Sequence, residues 1–254
     1  MNHQFKKKFG QNFIRDENLL KKIVQLARVE NSFVVEIGPG MGALTKHLIK
    51  VANKVMAFEI DQTLKPTLDA IEDNNNVLEV VYDDILAVDL RHIAEPFHVI
   101  GNIPYNITTP IIFKLAEIER IQSITLMMQE EVGHRIAAKP NTKEYNALSV
   151  ILQHQYNIEK LLKVHKKMFY PVPKIDSVVI KFTPKNKIDP AFNQFVKACF
   201  KQKRKTLVNN LSEQFDLSKE RIIQSLDFLD LNTNIRAEAL NLHNFLEIKR
   251  QLNL

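Results

Sequence analysis

The 254 residues contain no tryptophan and a single cysteine, Cys199. One thiol allows neither an internal disulfide nor a Cys-based zinc site, so a disulfide-stapled secreted domain is excluded and a cytoplasmic setting is expected. No apolar run approaches the roughly 20 residues that cross a bilayer. The start of the chain, Met1-Asn2-His3-Gln4-Phe5-Lys6-Lys7-Lys8, has charge but lacks the hydrophobic stretch of a signal peptide. The eight histidines show no ligand spacing, so no metal site is expected and no histidine is assigned a catalytic role. Absent tryptophan beside abundant Lys, Asn and Ile fits a compositional bias of the source and carries no functional reading.

What is present is an ordinary globular balance of 45% apolar and 25% charged residues, in a chain long enough for one large domain and one small one. The net charge is +6, and residues 185–254 hold 12 Lys and Arg against 8 Asp and Glu. That excess has two readings, a solvated lysine-rich surface or a polyanion partner bound by release of phosphate counterions.

Short apolar runs at 33–37, 55–58, 77–81, 97–100 and 124–128 alternate with helix-compatible segments at 43–51, 62–72 and 108–117. This spacing predicts βαβ units around a parallel sheet covered on both faces, hence an α/β fold. Asp16 is placed to cap a helix running to about Arg28. Runs at about 147–156 and 175–183 are expected to supply closing strands, with Pro171, Pro173 and Pro184 marking loops. After Pro184 the pattern reads as short helices only. The expected division is a Rossmann-like domain over 1–184 and a small helical domain over 185–254.

Two strings carry the chemistry. Glu36-Ile37-Gly38-Pro39-Gly40-Met41-Gly42 follows the first predicted sheet strand and opens a helix, and its glycines let backbone approach a nucleotide-like ligand. Alone it does not separate a nicotinamide cofactor from S-adenosylmethionine. Glu59, 21 residues after Gly38, ends the next strand and can accept from ribose hydroxyls, whereas Asp61 is better explained as a helix cap. Of Asp83 and Asp84, Asp84 is favoured to accept from an adenine amino group and the other is read as a turn residue.

Asn102-Ile103-Pro104-Tyr105 decides between the cofactors. An aromatic amine is a weak nucleophile because its lone pair is delocalised. The Asn102 side-chain oxygen and the Ile103 carbonyl can accept its two hydrogens, and Tyr105 can stack on a base turned out of its helix. Catalysis then comes from positioning, without a titrating base. Phe169 or Tyr170, in the proline-stiffened run Phe169-Tyr170-Pro171-Val172-Pro173-Lys174-Ile175-Asp176-Ser177, can close over the base from the side opposite Tyr105. Basic runs at Lys6-Lys7-Lys8, at Lys160 through Lys174 and at Lys201-Gln202-Lys203-Arg204-Lys205 suit phosphate contact.

The chain resembles the small-subunit ribosomal RNA adenine N6-dimethyltransferases almost end to end. The strings that carry the resemblance are Lys8-Phe9-Gly10-Gln11-Asn12-Phe13, Val35 through Gly40, Asn102 through Asn106, Met128 through Val132 with Arg135, Phe169 through Ser177, Lys203 through Leu207, and Arg236-Ala237-Glu238. One departure is His165 after Val164, where many members have proline.

The resemblance implies a class I methyltransferase domain with a helical C-terminal RNA-binding domain. It further implies transfer of methyls from S-adenosylmethionine to two adjacent adenines of a small-subunit rRNA hairpin, two per base. It assigns cofactor contact to Asn12, Ile14, Gly38, Glu59, Asp84 and Asn102, and the target amine to Asn102, Tyr105 and Phe169. The implied partner is small-subunit rRNA or its precursor particle, met by a monomer. Erythromycin-resistance methyltransferases share the N-terminal half, but the 203–207 and 236–238 strings look like the small-subunit enzymes. An RNA-binding assembly factor with secondary or lost activity, and a nicotinamide oxidoreductase, are the alternatives from other classes.

Overall fold

The computed structural model describes residues 12–105 and 107–254. In chain order the elements are β1 (Phe13–Ile14), α1 (Glu17–Ala27), β2 (Phe33–Ile37), α2 (Thr45–Leu48), β3 (Lys54–Phe58), α3 (Lys65–Glu72), β4 (Leu78–Val81), β5 (Phe97–Asn102), α4 (Thr108–Leu115), β6 (Ile121–Gln129), α5 (Glu130–Ile136), α6 (Ala147–Gln155), β7 (Tyr156–Val164), β8 (Phe169–Tyr170), β9 (Ser177–Pro184), α7 (Pro190–Cys199), α8 (Leu207–Gln214), α9 (Lys219–Asp227) and α10 (Leu242–Leu252). The five parallel strands and α1 fall where the apolar runs predict them. The Asp16 carboxylate accepts from the Leu19 amide at 2.8 Å, and Arg28, in the left-handed region, ends the helix.

Seven strands form one sheet in the order β4-β3-β2-β5-β6-β9-β7. From β4 to β6 the pairing is parallel, and β9 runs antiparallel to β6. The connection after β4 crosses to the far side of β2, so the strand order reverses between β2 and β5. A crevice opens at such a reversal, outside the carboxyl ends of the strands. Gly38 directly follows β2 and Asn102 ends β5, so topology alone brings the two informative strings together. Val34 and Val35 of β2 are fully buried, as expected of a central strand covered on both faces.

The chain separates into two compact units, one of Met1–Gly133 with Asn157–Pro184, the other of His134–Tyr156 with Lys185–Leu254. The chain passes from the first unit to the second after Pro184, and the second unit also takes in 134–156. The run at 147–156, expected as a strand, is α6. Asn146 caps it, its side chain accepting from Leu148 while its own amide donates to Ser149 Oγ at 3.2 Å. An apolar run of this length does not distinguish a buried strand from a buried helix, and the reciprocal cap tips it to helix. The segment belongs with α7 because Lys185 N donates to Gln155 O at 2.9 Å and the His154 and Phe192 rings lie 4.5 Å apart. Phe195, Leu211, Ile222, Leu226, Phe245 and Ile248 fill the core of this helical unit. No helix among the described residues is long and apolar enough to cross a membrane.

Candidate active site

The turn after β2 holds Gly38, Gly40 and Gly42 at φ of +70°, +58° and +75°. At Gly40 the requirement is steric as well as conformational, because a Cβ there would stand 2.5 Å from the Phe13 ring. The Gly40 amide donates to Glu59 Oε2 at 3.0 Å, and the Asp61 amide donates to Oε1 at 2.8 Å. Glu59 thus braces the loop and lines the cleft, with lone pairs remaining on both oxygens. Burial raises its pKa, opposed by those amide donors. Asp61 accepts from Thr63 N and Thr63 Oγ1 and caps a short 3-10 turn, its expected structural role.

Glu36 is 1% exposed on β2, lines the same cleft, and its Oε2 has no hydrogen-bond partner among the described residues. Burial lifts the carboxyl to about 8; the nearby Glu59 charge adds to this, and the Thr45 hydroxyl opposes it. The sequence string contains Glu36 but no local signal gives it a role.

Asp83 and Asp84 both line the cleft after β4. Asp83 Oδ1 accepts from the Asp84 amide at 2.7 Å, a turn contact, and Asp84 Oδ1 accepts from Leu86 N at 2.9 Å. The rest of this loop is fastened by Lys114 of α4, whose ammonium donates to the Leu86 carbonyl at 2.9 Å and to the Val88 carbonyl. Burial lowers the Lys114 pKa, opposed by Asp89 and Asp84.

At the end of β5, Asn102 Nδ2 donates to the Asn12 carbonyl at 2.7 Å. A carbonyl only accepts, so the amide nitrogen must face it, and Oδ1 is the branch left for other donors. Pro104 O accepts from Ile107 N and Thr108 Oγ1, each at 3.2 Å, which starts α4. The half-buried Tyr105 hydroxyl lies 2.9 Å from that of Ser177, itself fully buried. Burial raises the Tyr105 pKa, with Ser177 opposing, so the phenol stays neutral.

The structure therefore gathers Asn12, Ile14, Gly38, Glu59, Asp84, Asn102 and Tyr105 around one cleft. Phe169 is not among them. It is 2% exposed, its backbone registers with Ile14 between β1 and β8, and both side chains belong to the hydrophobic core. Phe169 thus packs in the core beside Ile14, which itself lines the cleft. Tyr170, the next residue, is exposed.

The basic runs are less free than the sequence suggests. Lys163 pairs with Glu130 at 2.9 Å and Asp176 at 3.5 Å, and Lys160 with Glu130 at 3.6 Å. Lys205 pairs with Glu213 at 2.5 Å, while Lys201 donates to Gln214. Lys6 through Gln11 and Asn106 lie outside the described residues. His165, at the departure from the family pattern, accepts from Lys167 N through Nδ1 at 3.3 Å and caps a 3-10 turn. Among the described residues no group of three His, Cys, Asp or Glu side chains could hold a metal.

The cleft fits S-adenosylmethionine. Its walls are apolar around Ile14, Phe58 and Ile85, its glycine turn admits close backbone approach, and Glu36 leaves one buried oxygen on the lining without a partner among the described residues. Glu59, Asp83 and Asp84 are further carboxylates on its lining.

A family model described as ribosomal RNA adenine dimethylase matches residues 2–253. A protein of Onion yellows phytoplasma (strain OY-M), named ribosomal RNA small subunit methyltransferase A, is 52% identical, covering 96% of this chain and 95% of its own. One of the same name from Ligilactobacillus salivarius (strain UCC118) is 44% identical, covering 98% and 90%. A dimethyladenosine transferase from Plasmodium falciparum superposes with a TM-score of 0.80 at 26% identity, over 95% of this chain and 97% of that one. The 23S rRNA methyltransferase ErmE gives 0.71 at 26% identity, over 95% and 100%. The chain has the class I methyltransferase fold and is an enzyme belonging to the ribosomal RNA adenine dimethylase family.

Proposed function

We propose that this protein transfers methyl groups from S-adenosylmethionine to the N6 amines of two adjacent adenines in a 3′-terminal hairpin of small-subunit rRNA, giving dimethyladenosines during small-subunit assembly. One observation carries the reading: Asn102 and Tyr105 stand at the carboxyl end of β5, facing the same cleft as the glycine turn, Glu59 and Asp84. The donor, when bound, supplies an electrophilic methyl on a sulfonium. Asn12 holds the Asn102 amide so that Oδ1 can accept an amine hydrogen, and the Ile103 carbonyl accepts the other. Accepting both draws the nitrogen toward a pyramidal form, with its lone pair free to attack. Tyr105, tethered through Ser177, stacks on the base, and Phe169 supports this wall from the core through Ile14. Tyr105 stays protonated and no group is needed as a general base, because the proton is lost from a cationic amine product that is already acidic. Cations of the helical unit contact the rRNA backbone. The enzyme acts in the cytoplasm as a monomer.

The small-subunit target is favoured by the names of the curated relatives. Calorimetry with S-adenosylmethionine, followed by labelled-methyl transfer to undermethylated small-subunit particles, tests the reading. Heat with the parent, weakened binding in Glu59→Ala, and transfer to small-subunit RNA are expected. Parent protein that binds no donor, or transfers only to large-subunit RNA, refutes it.

A further inference from the structure

Six large hydrophobic side chains among the described residues are exposed, and four of them, Met168, Tyr170, Val172 and Ile175, lie within eight consecutive positions. Scattered exposed apolar residues need no explanation, but such a concentration marks an interaction surface. The segment adjoins the cleft wall through β1, where Tyr170 registers with the cleft-lining Phe13, and two residues beyond it Ser177 meets the Tyr105 hydroxyl. Tyr170 does not line the cleft, and 47% of its surface remains exposed. The Arg15 guanidinium lies 4.4 Å from its ring centroid.

The charges nearby separate into two groups. Lys160 and Lys163 are neutralised by Glu130 and Asp176. Arg15, Lys167 and Lys174 are exposed, and none of them joins the ion pairs that Glu130 and Asp176 make with Lys160, Lys163 and His165. An apolar and aromatic surface rimmed by exposed cations suits a polyanion that also presents flat apolar faces. Single-stranded nucleic acid has both properties: bases stack on aromatic side chains and guanidinium planes, while lysines follow the phosphates.

Resting on the proposed function, we infer that Tyr170, with Arg15 against its ring, is a stacking platform for an unpaired RNA nucleotide flanking the target adenine, and that Lys167 and Lys174 bind the adjoining phosphates. The target base enters the cleft beside Tyr105 while its neighbour is held outside it. Tyr170, Lys167 and Lys174 lie outside the cleft lining, so this surface acts on RNA affinity and register, not on donor binding.

The test measures binding of an rRNA hairpin with 2-aminopurine beside the target adenine, using full-length protein loaded with S-adenosylhomocysteine. Tyr170→Ala is expected to weaken hairpin binding about tenfold and to abolish 2-aminopurine quenching, whereas Tyr170→Phe keeps both. Lys167→Gln with Lys174→Gln should flatten the salt dependence by about 0.7 per charge removed. S-adenosylhomocysteine affinity should be unchanged throughout, which separates loss of the platform from loss of fold. Hairpin affinity within twofold of the parent in Tyr170→Ala overturns the inference, as does equal loss in Tyr170→Phe. A defect seen only with assembled particles would assign the surface to a protein partner and likewise overturns it. If the parent methylates the particle while Tyr170→Ala is silent, this inference alone fails; if the parent binds no hairpin, the proposed function fails with it.

Discussion

Asn102 Nδ2 donates to the carbonyl of Asn12, 2.7 Å away and 90 residues distant in the chain. That bond couples the segment entering β1 to the end of β5, and it fixes which branch of the Asn102 amide is the acceptor. A side chain that must present an oxygen rather than a nitrogen is thereby set before any substrate arrives.

Asn102→Ala removes this acceptor. Methyl transfer should fall by at least about 10²-fold, the scale of losing one preorganised polar contact at a reacting centre. RNA affinity should remain near that of the parent, because no phosphate contact is lost. Single-turnover transfer and filter binding on one preparation check both halves.

Ser177→Ala frees the Tyr105 hydroxyl without touching its ring. The expected effect is a drop in kcat of about 3- to 10-fold, the worth of one hydrogen bond, with donor affinity unchanged. Tyr105→Phe should cost a similar amount, and the double variant little more than either. Fully additive losses would show that the pair does not act as a unit.

Lys114→Met leaves the Leu86 and Val88 carbonyls without their ammonium and loosens the loop that carries Asp84. Donor affinity is expected to fall about tenfold with kcat within about twofold, and Lys114→Arg should restore part of it. Calorimetry with S-adenosylhomocysteine reads this directly. Unchanged affinity would make Lys114 a stability residue only.

Glu36 titrates at about 8 in the folded protein, against 4.5 for its ordinary value. The folded state therefore holds this proton between those limits while the unfolded state releases it, so the contribution is fully present below about pH 4.5 and is lost as pH rises through 8. Glu36→Gln removes this dependence. Its melting temperature relative to the parent should rise steadily from pH 5 to pH 8, corresponding to a few kcal/mol at most. A constant offset would mean that Glu36 is ionised throughout.

The sheet was legible because each parallel strand is an uninterrupted apolar run between recognisable breaks, and the order reversal then located the cleft. Most of the cleft lining was legible for the same reason, since Gly38, Glu59, Asp84 and Asn102 all follow or end such strands. What sequence could not show were contacts made by tertiary closure. Asn12 acts through a backbone carbonyl, which leaves no side-chain signature. Ser177 acts across 72 residues on Tyr105. Phe169 and Tyr170 are adjacent aromatics, and only strand register decides that the first is buried and the second exposed. The apolar residues of the 147–156 run suit either element, and the reciprocal Asn146–Ser149 cap that makes it a helix shows only in the folded geometry.

The most direct test of the central claim is to map methylated adenines by primer extension and nucleoside mass spectrometry in both rRNAs, after incubating undermethylated ribosomal particles with the protein and S-adenosylmethionine. Dimethyladenosine is expected at two adjacent adenines of the small-subunit rRNA, abolished by Asn102→Ala. Modification confined to a single adenine of the large-subunit rRNA, or none in either, would contradict it.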